Sequence, residues 1–332
     1  MDQLTAHLDR GWDLAQSGDA RGAVESARRA LELSPDSPEA YNLLGYAAAL
    51  DGDFDEALEA YQQALALDDG YVEAMLSAAE VLLHPVRDFE QAVELCDRVL
   101  ELSDYDDEIL DAQLLKFDAY WAMGEDDEAR KVVKRLPRGP FESPAQSFLV
   151  ARACIEVGEF ERARPLLQAA LEGDPGNSET SYYAGLLAEA DGDLPRASMH
   201  FLRTRQLEAA LGLPPWSPNE QAFSMFVERA TAELPPEQHD RLRHAQVFVV
   251  DLPGPEAVVD GVDVRAMVLI DVLASPSELN VADGSRIRVF LYAMNILRTA
   301  GSIDAVEATI RDAIARELEA LQGDARDTHH AS

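Results

Sequence analysis

Few residues in this chain have the type and spacing that metal chemistry requires. A zinc site needs three or four donors from Cys, His, Asp or Glu. His239 with His244, and His329 with His330, are close in sequence, but neither pair has ligand spacing with a third partner. His84 precedes a proline and is expected in a turn. We therefore predict no metal site.

The motifs of cofactor and nucleophile chemistry are also absent from the sequence. It contains no Walker loop, no G-x-G-x-x-G after a strand and no G-x-S-x-G. With 62 Asp and Glu residues, a close pair of carboxylates carries no information about catalysis. We predict no cofactor and no enzymatic activity.

The formal net charge of −34 limits the classes of partner. Phosphates would be repelled, so we expect neither nucleic acid nor an anionic membrane as a partner. Two explanations of the charge remain open, namely solubility and recognition of a basic partner.

Several observations concern the compartment. Cys96 and Cys154 lie on apolar helical stripes and are expected to be buried thiols rather than a disulfide or metal ligands. The N-terminus has neither the basic nor the apolar region of a signal peptide. No apolar run approaches membrane-spanning length. These observations predict a cytoplasmic protein.

A repeated helical hairpin must position any functional side chain, and residues 38–69 show its pattern most clearly. Ser37 and Pro38 suit the start of a helix. Gly52 breaks that helix, and Asp53 with Glu56 forms a capping-box pattern for a second one. Neither helix can bury its apolar stripe alone, so the unit needs stacked neighbours.

The pattern recurs along residues 4–211. Steps of 34 residues separate three pairs of turn glycines. The recurring positions are the turn glycines Gly18, Gly52, Gly124, Gly158 and Gly192, the second-helix alanines Ala23, Ala57, Ala92, Ala129, Ala163 and Ala197, and the small first-helix residues Gly11, Gly45, Ala79, Ala151 and Gly185. This arrangement resembles the tetratricopeptide repeat (TPR) family, which implies about six helix–turn–helix repeats in an α-solenoid.

Two of the six repeats are irregular. Repeat three has His84-Pro85 at its turn in place of glycine, and one extra residue. Repeat four has Phe117 where a small residue is usual and is followed by the turn-rich segment 137–144.

After the repeats, the pattern changes to a small α+β domain. We predict a TPR superhelix over residues 1–212, a Pro-rich linker over 213–218, the domain over 219–323 and a disordered tail over 324–332. Within the domain, the predicted elements are helices over 219–234, 237–244 and about 303–321, and strands or apolar runs over 246–250, 265–273 and 286–292.

The order of this domain resembles a compact bacterial zincin-like metallopeptidase family. The shared patterns are an opening helix with Phe223, Val227, Ala230 and Leu234-Pro235, a strand ending in VFVVDLP, and the stretch from Arg286 to Arg298. The resemblance implies a closing helix that carries the zinc-binding motif His-Glu-x-x-His. At the aligned positions this chain has Arg316-Glu317-Leu318-Glu319-Ala320, so that Arg316 and Ala320 replace the two histidines. Arginine stays protonated and alanine has no donor atom. Glu317 is the only remnant of the motif, so the domain is expected to be inactive.

The resemblance to the TPR family implies a groove lined by the first helices of the repeats. Carried over to this sequence, the groove is acidic, with aromatic anchors and no lysine, which suits a basic or mixed basic and apolar protein segment. Its predicted residues are Trp12, Asn42, Tyr46, Glu73, Leu76, Glu80, Asp118, Trp121, Phe148, Arg152 and Tyr182. Packing of Trp12, Tyr46 and Trp121 between helices is an open alternative to their role as anchors.

Three functions remain possible from the sequence. The first is a non-catalytic interaction scaffold whose inactive peptidase-like domain serves for docking. The second is a zinc-dependent metallopeptidase with non-standard ligands. The third is a structural subunit that self-associates through its repeats. We expect the first.

Overall fold

The computed structural model describes residues 3–272 and 287–330, with side chains as far as Leu321. Contacts within the chain divide it into two compact units, residues 1–173 and 174–332.

The first unit consists of five helix pairs joined by short turns. Each second helix packs against its own first helix, and most of them pack against the first helix of the next pair. The helices are α1 Gln3–Gln16, α2 Ala20–Leu33, α3 Pro38–Asp51, α4 Phe54–Leu67, α5 Val72–Val81, α6 Phe89–Leu102, α7 Asp106–Met123, α8 Asp126–Arg135, α9 Pro144–Glu156 and α10 Phe160–Gly173.

Local chemistry at the turns fixes where these helices begin and end. The Ser37 hydroxyl accepts a hydrogen bond from the Ala40 amide at 3.2 Å, and the Asp53 carboxylate accepts one from the Glu56 amide at 3.0 Å. Gly52 between them has φ +86°, a left-handed conformation that glycine adopts at no steric cost. The predicted caps and turn are confirmed.

The third repeat turns without a glycine. Its extra residue is taken up by a π-helical turn, Leu82–Val86, in which Pro85 lies. Arg87 then has φ +63° and takes the left-handed place that glycine has in the other repeats. The Asp88 amide closes the turn by donating to the Leu82 carbonyl at 2.8 Å. The predicted irregular turn is therefore a one-residue helical insertion.

Small first-helix residues allow the two helices of a pair to approach closely. A Cβ atom added at Gly45 would lie 2.7 Å from Cε1 of Tyr61, a side chain that is fully buried. In the third repeat Ala79 packs with the smaller Cys96 instead. The size of the first-helix residue thus matches that of the second-helix residue it faces.

Arg162 stabilises the end of repeat four, where the sequence showed only a turn-rich segment. Its guanidinium donates to the carbonyls of Val133, Leu136 and Pro137 at 2.6, 2.7 and 3.1 Å. Carbonyls in the last turn of a helix have no partner within that helix. Arg162, on α10, thus fixes the C-terminal end of α8.

The second unit begins with the sixth helix pair and continues into the α+β domain. Its elements are α11 Ser178–Ala190, α12 Leu194–Leu211, α13 Glu220–Ala232, α14 Pro236–Leu242, β1 Gln246–Val250, α15 Pro255–Val259, β2 Val268–Val272, β3 Ile287–Tyr292, α16 Ala293–Ala300, a 3-10 turn Ile303–Ala305 and α17 Val306–His330.

The three strands form one small sheet in the order β1–β3–β2. β1 is parallel to β3 and β2 is antiparallel to it, with Phe248 and Leu269 both opposite Phe290. One face of β2 and β3 is buried with α13, α16 and α17. This core contains Phe223, Val227, Val268, Ile270, Val289, Leu291, Ile296, Ile310 and Ile314.

The structure differs from the predicted organisation in several places. Repeat six belongs to the compact unit of the α+β domain, whereas the sequence placed the boundary at 213–218. α17 continues to His330, through much of the tail that was expected to be disordered. The helices α15 and α16 were not predicted. The ends of two predicted apolar runs, Leu273 and Arg286, lie outside the described residues.

Candidate partner-binding surface

The first helices of the five pairs in the first unit form a continuous layer. α1 contacts α3, α3 contacts α5, α5 contacts α7, and α7 contacts α9. All the predicted groove residues except Tyr182 lie on these five helices. A surface built from successive helices in this way is extended and suits an elongated ligand.

The layer carries an aromatic pair at its N-terminal end. The ring centroids of Trp12, on α1, and Tyr46, on α3, lie 5.2 Å apart at an interplanar angle of 55°. Tyr46 is 40% exposed and Trp12 is half-buried. A tilted pair of this kind is stabilised by ring electrostatics and still leaves apolar surface for a partner. The structure thus brings these two predicted residues together.

Exposed carboxylates also lie on this layer, among them Glu80 on α5 and Asp111 on α7. Tyr46 and Glu80 both interact electrostatically with Tyr61, whose burial raises the pKa of its hydroxyl. Partial desolvation, followed by the charges of Asp107, Glu80 and Glu108, raises the pKa of Asp111 on α7. Asp111 was not among the predicted site residues. Because the Asp111 and Glu80 carboxylates interact electrostatically, a cation that approaches this part of the layer is attracted by both.

A hydrogen-bonded chain links the second and third repeats. The Asn42 amide nitrogen donates to the Tyr71 hydroxyl at 3.4 Å, and that hydroxyl donates to Glu73 at 3.2 Å. Burial and the Glu73 carboxylate raise the pKa of Tyr71 to about 12. Asn42 is buried, and its Oδ1 atom has no hydrogen-bond partner among the described residues. Asn42 thus joins repeats, while Glu73 faces solvent.

Two predicted charges pair with each other. Nη2 of Arg152 lies 2.7 Å from each carboxylate oxygen of Asp118, and both side chains are mostly buried. The pair joins α7 to α9 and cancels the local charge. The acidic character of the surface therefore comes from Glu73, Glu80 and Asp111 rather than from Asp118.

The remaining predicted residues of the first unit differ in exposure. Trp121 is 38% exposed and lies 6.0 Å from the buried ring of Phe117, in a stacked arrangement. Phe148 is buried, and Leu76 packs against the core of repeat three. Among these three, only Trp121 exposes a large apolar area on this layer.

Tyr182 belongs to the second unit, where residues of the α+β domain contact it. Its hydroxyl donates to Asp263 at 3.0 Å, and the Arg265 guanidinium lies 4.1 Å from its ring centroid. A cation over an aromatic face at this distance is favourable. One face of this predicted groove residue is thus covered by the chain's own arginine.

Arg265 also anchors a network of ion pairs around Glu208. It binds Glu179 with two nitrogens at 2.7 and 3.1 Å, and Glu208 with two at 3.2 Å. Arg298 donates to the backbone carbonyl of Glu208 at 2.6 Å and lies 3.4 Å from its carboxylate. Glu208 is buried, and paired arginines offset its desolvation. Sequence reasoning did not identify this network, because its members are up to 119 residues apart in the chain, from Glu179 to Arg298.

The positions aligned with the zincin motif lie on α17. Arg316 and Ala320 are both exposed, and Nε of Arg316 donates to the Asp312 carbonyl at 3.3 Å. Glu317 is half-buried, and its charge contributes to the raised pKa of Tyr292. Over residues 3–272 and 287–321, no cluster of three or more His, Cys, Asp or Glu side chains could hold a metal ion.

Comparison with known sequences decides the nature of the repeats. A family profile described as "Tetratricopeptide repeat" matches residues 8–72 and 151–211, and a second profile of the same description matches 48–102. Residues 8–102 and 151–211 therefore belong to tetratricopeptide repeats. No curated protein sequence matches it significantly.

The chain is also similar in fold to solved structures, two of them with TM-scores above 0.5. PilF of Pseudomonas aeruginosa is 21% identical, with a TM-score of 0.53 over 67% of this chain and 97% of its own. PilW, a type IV pilus biogenesis factor, is 19% identical, with a TM-score of 0.52 over 66% of this chain and 96% of its own. YrrB, described as a TPR protein with an unusual peptide-binding site, is 17% identical. Its TM-score is 0.43, over 56% of this chain and 93% of its own.

The part of the chain that the structure describes contains no helix that is both long and apolar enough to cross a bilayer.

Proposed function

We propose that the protein is a non-catalytic scaffold whose TPR surface binds a basic, partly apolar segment of another protein. The observation that carries this proposal is the partly exposed Trp12–Tyr46 pair, on the same layer of first helices as the exposed carboxylates of Glu80 and Asp111. Aromatic anchors supply most of the energy of such interfaces, whereas charges mainly set the association rate and the choice of partner.

The residues of the surface support one kind of ligand. A leucine or aromatic side chain packs against Tyr46, and a lysine or arginine lies between Glu80 and Asp111. TPR proteins in general act as protein-interaction scaffolds, which supports a protein ligand. The acidic net charge of the chain opposes nucleic acid as an alternative. We propose the cytoplasm as the compartment, on the basis of the sequence expectation alone.

For the C-terminal domain we propose a degenerate zincin-like fold that serves for docking. Its support is the sequence resemblance together with the residues at the motif positions, since neither Arg316 nor Ala320 can ligate zinc. Elemental analysis after dialysis tests the point, and well under one zinc per chain is expected. Stoichiometric zinc that is lost on changing one residue would instead favour a metallopeptidase with non-standard ligands.

Binding to synthetic peptides tests the function. An array of short peptides that combine lysine or arginine with leucine is compared with acidic peptides of equal hydropathy. We expect the full-length chain to bind the basic set, and rising salt to slow association because charge steering is screened. Tyr46→Ala should weaken binding about tenfold or more, and Glu80→Gln about threefold.

Glu94→Gln is the matched control for charge. Glu94 is an exposed carboxylate on α6, a second helix outside the first-helix layer. Its replacement removes the same charge from the chain and should leave peptide binding unchanged. Equal losses for Glu80→Gln and Glu94→Gln would mean that net charge, and not this surface, attracts the peptides. Preference for the acidic set would refute the proposal.

A further inference from the structure

Strand β1 exposes an apolar edge. β3 occupies one side of β1, and no strand pairs with the other side among residues 3–272 and 287–330. All five residues of β1 are exposed, including four consecutive apolar ones, Val247 at 46%, Phe248 at 40%, Val249 at 44% and Val250 at 39%. An edge of this kind presents unpaired backbone groups to any strand that can align with it.

The strand lacks the features by which edge strands usually avoid association. Natural edges carry lysine, proline or an inward-facing charge, or they bulge away from a potential neighbour. The sequence Gln246-Val247-Phe248-Val249-Val250 contains no charged residue and no proline, and its pairing with β3 is continuous over all five residues. The edge is therefore suited to pairing.

The groups that flank β1 indicate which strand fits it. Arg243 and His244 precede the strand and Asp251 follows it, and all three side chains are exposed. One end of the edge is thus basic and the other acidic. Such an edge is complementary to its own antiparallel copy, in which the basic end of one strand lies next to the acidic end of the other.

We propose that β1 is a dimerisation strand, and that two copies of this chain pair antiparallel through it, centred on Phe248. In this register Val247 faces Val249 of the second copy, and Arg243 and His244 lie at the same end as its Asp251. A two-fold axis through Phe248 makes the contact isologous, so that it closes as a dimer and does not extend into a fibre. The two sheets become one of six strands.

The aromatic residues of the sheet support this register. Phe248 already stacks on Phe290 of β3, with ring centroids 5.2 Å apart and an interplanar angle of 18°. Directly opposite residues in an antiparallel pair lie on the same face. Pairing centred on Phe248 therefore extends one aromatic row across both sheets, and each added ring covers exposed apolar surface.

The contact is short, so the dimer is expected to be weak. Interfaces that bury little surface form transient complexes. Two chains of net charge −34 also repel each other, and salt screens that repulsion. Dimerisation should therefore strengthen as salt is raised, whereas binding of a basic peptide to the TPR surface should weaken.

Sedimentation of the full-length chain over a range of concentrations tests the proposal. We expect a reversible monomer–dimer equilibrium. Val247→Glu and Val249→Lys should each weaken it about tenfold or more, because a charge then faces valine across the pair. An equimolar mixture of the two variants should form dimers again, since the introduced glutamate of one copy faces the introduced lysine of the other. This recovery depends on the proposed register.

A matched control and hydrogen exchange complete the test. Val259→Lys changes an exposed valine on α15 and should leave the equilibrium unchanged. Circular dichroism should show that each variant is folded. The proposal is overturned if the chain is monomeric at every concentration, or if both single variants dimerise normally. Strong protection, in the monomer, of the β1 amides that point away from β3 would also overturn it, because the edge would then be covered within the chain.

Discussion

Arg265 lies over the ring of Tyr182, 4.1 Å from the guanidinium carbon to the ring centroid, and so joins the last repeat to the α+β domain. The same guanidinium binds Glu179 and the buried Glu208. Three residues of the sixth helix pair, Glu179, Tyr182 and Glu208, are therefore bound by one residue of the domain that follows it. This relationship explains why both belong to one compact unit.

Replacing Arg265 should destabilise the second unit. Arg265→Ala removes four hydrogen bonds to carboxylates and leaves Glu208 with Arg298 as its remaining cationic partner. We expect a loss of about 2 kcal/mol in the free energy of unfolding. Urea unfolding followed by circular dichroism measures it. Arg265→Lys should recover only part of the loss, because lysine cannot bind two carboxylates with a planar fork.

Cleavage of the segment 213–218 should leave the two pieces associated. Arg205 donates to the Pro253 carbonyl at 2.6 Å, and the Arg265 network also spans this segment. Limited proteolysis followed by gel filtration checks whether the nicked chain elutes as one species. Separation of a stable helical fragment of residues 1–212 would instead support the boundary predicted from the sequence.

Asp111→Asn should stabilise the protein at neutral pH. The pKa of Asp111 is raised in the folded state, so the folded protein binds this proton more tightly than the unfolded chain. Ionisation of Asp111 therefore lowers stability as the pH rises through that pKa. The gain from Asp111→Asn should shrink as the pH falls and vanish below the ordinary carboxyl range, about pH 4. Thermal unfolding of both proteins over a pH series measures the difference, with Glu94→Gln as control.

Gly45→Ala should destabilise repeat two. The added methyl would lie 2.7 Å from Cε1 of the buried Tyr61, so a well-packed ring must move. Overpacking of this kind costs about 1–3 kcal/mol. The double variant Gly45→Ala with Tyr61→Leu measures the clash by itself, because its free energy of unfolding is compared with that expected from the two single changes. If it is no more stable than the sum of the two single changes predicts, the two residues are not coupled.

The two thiols should be unreactive in the folded protein. Cys96 and Cys154 are free and fully buried, as the sequence predicted. Burial raises the pKa of Cys96 to about 12 and that of Cys154 to about 11, so little thiolate exists at pH 8. A thiol reagent should label both cysteines only after denaturant is added. Rapid labelling of either one in the native protein would contradict this burial.

The sequence by itself determined the repeat array, because its signals are local. Glycine at a left-handed turn, a capping carboxylate such as Asp53 and a small residue such as Gly45 act within one hairpin of the chain. β1 and β3 were likewise predicted from a short β-rich run and a short alternating run, and β2 lies within a predicted apolar run. Each of these features can be identified from a short stretch of sequence, because it does not depend on residues far away in the chain.

Only the tertiary structure decided which charged side chains are paired within the chain and which remain available to a binding partner. Asp118 and Arg152 are 34 residues apart, and Glu208 and Arg265 are 57 apart, so neither ion pair follows from the pattern of the sequence. The same holds for Tyr182, an aromatic residue at a predicted groove position whose face is covered by Arg265. It also holds for the edge of β1, since strand order depends on how distant segments pair and not on the composition of each segment. Periodicity identifies the elements, whereas contacts between residues far apart in the chain decide what each surface exposes.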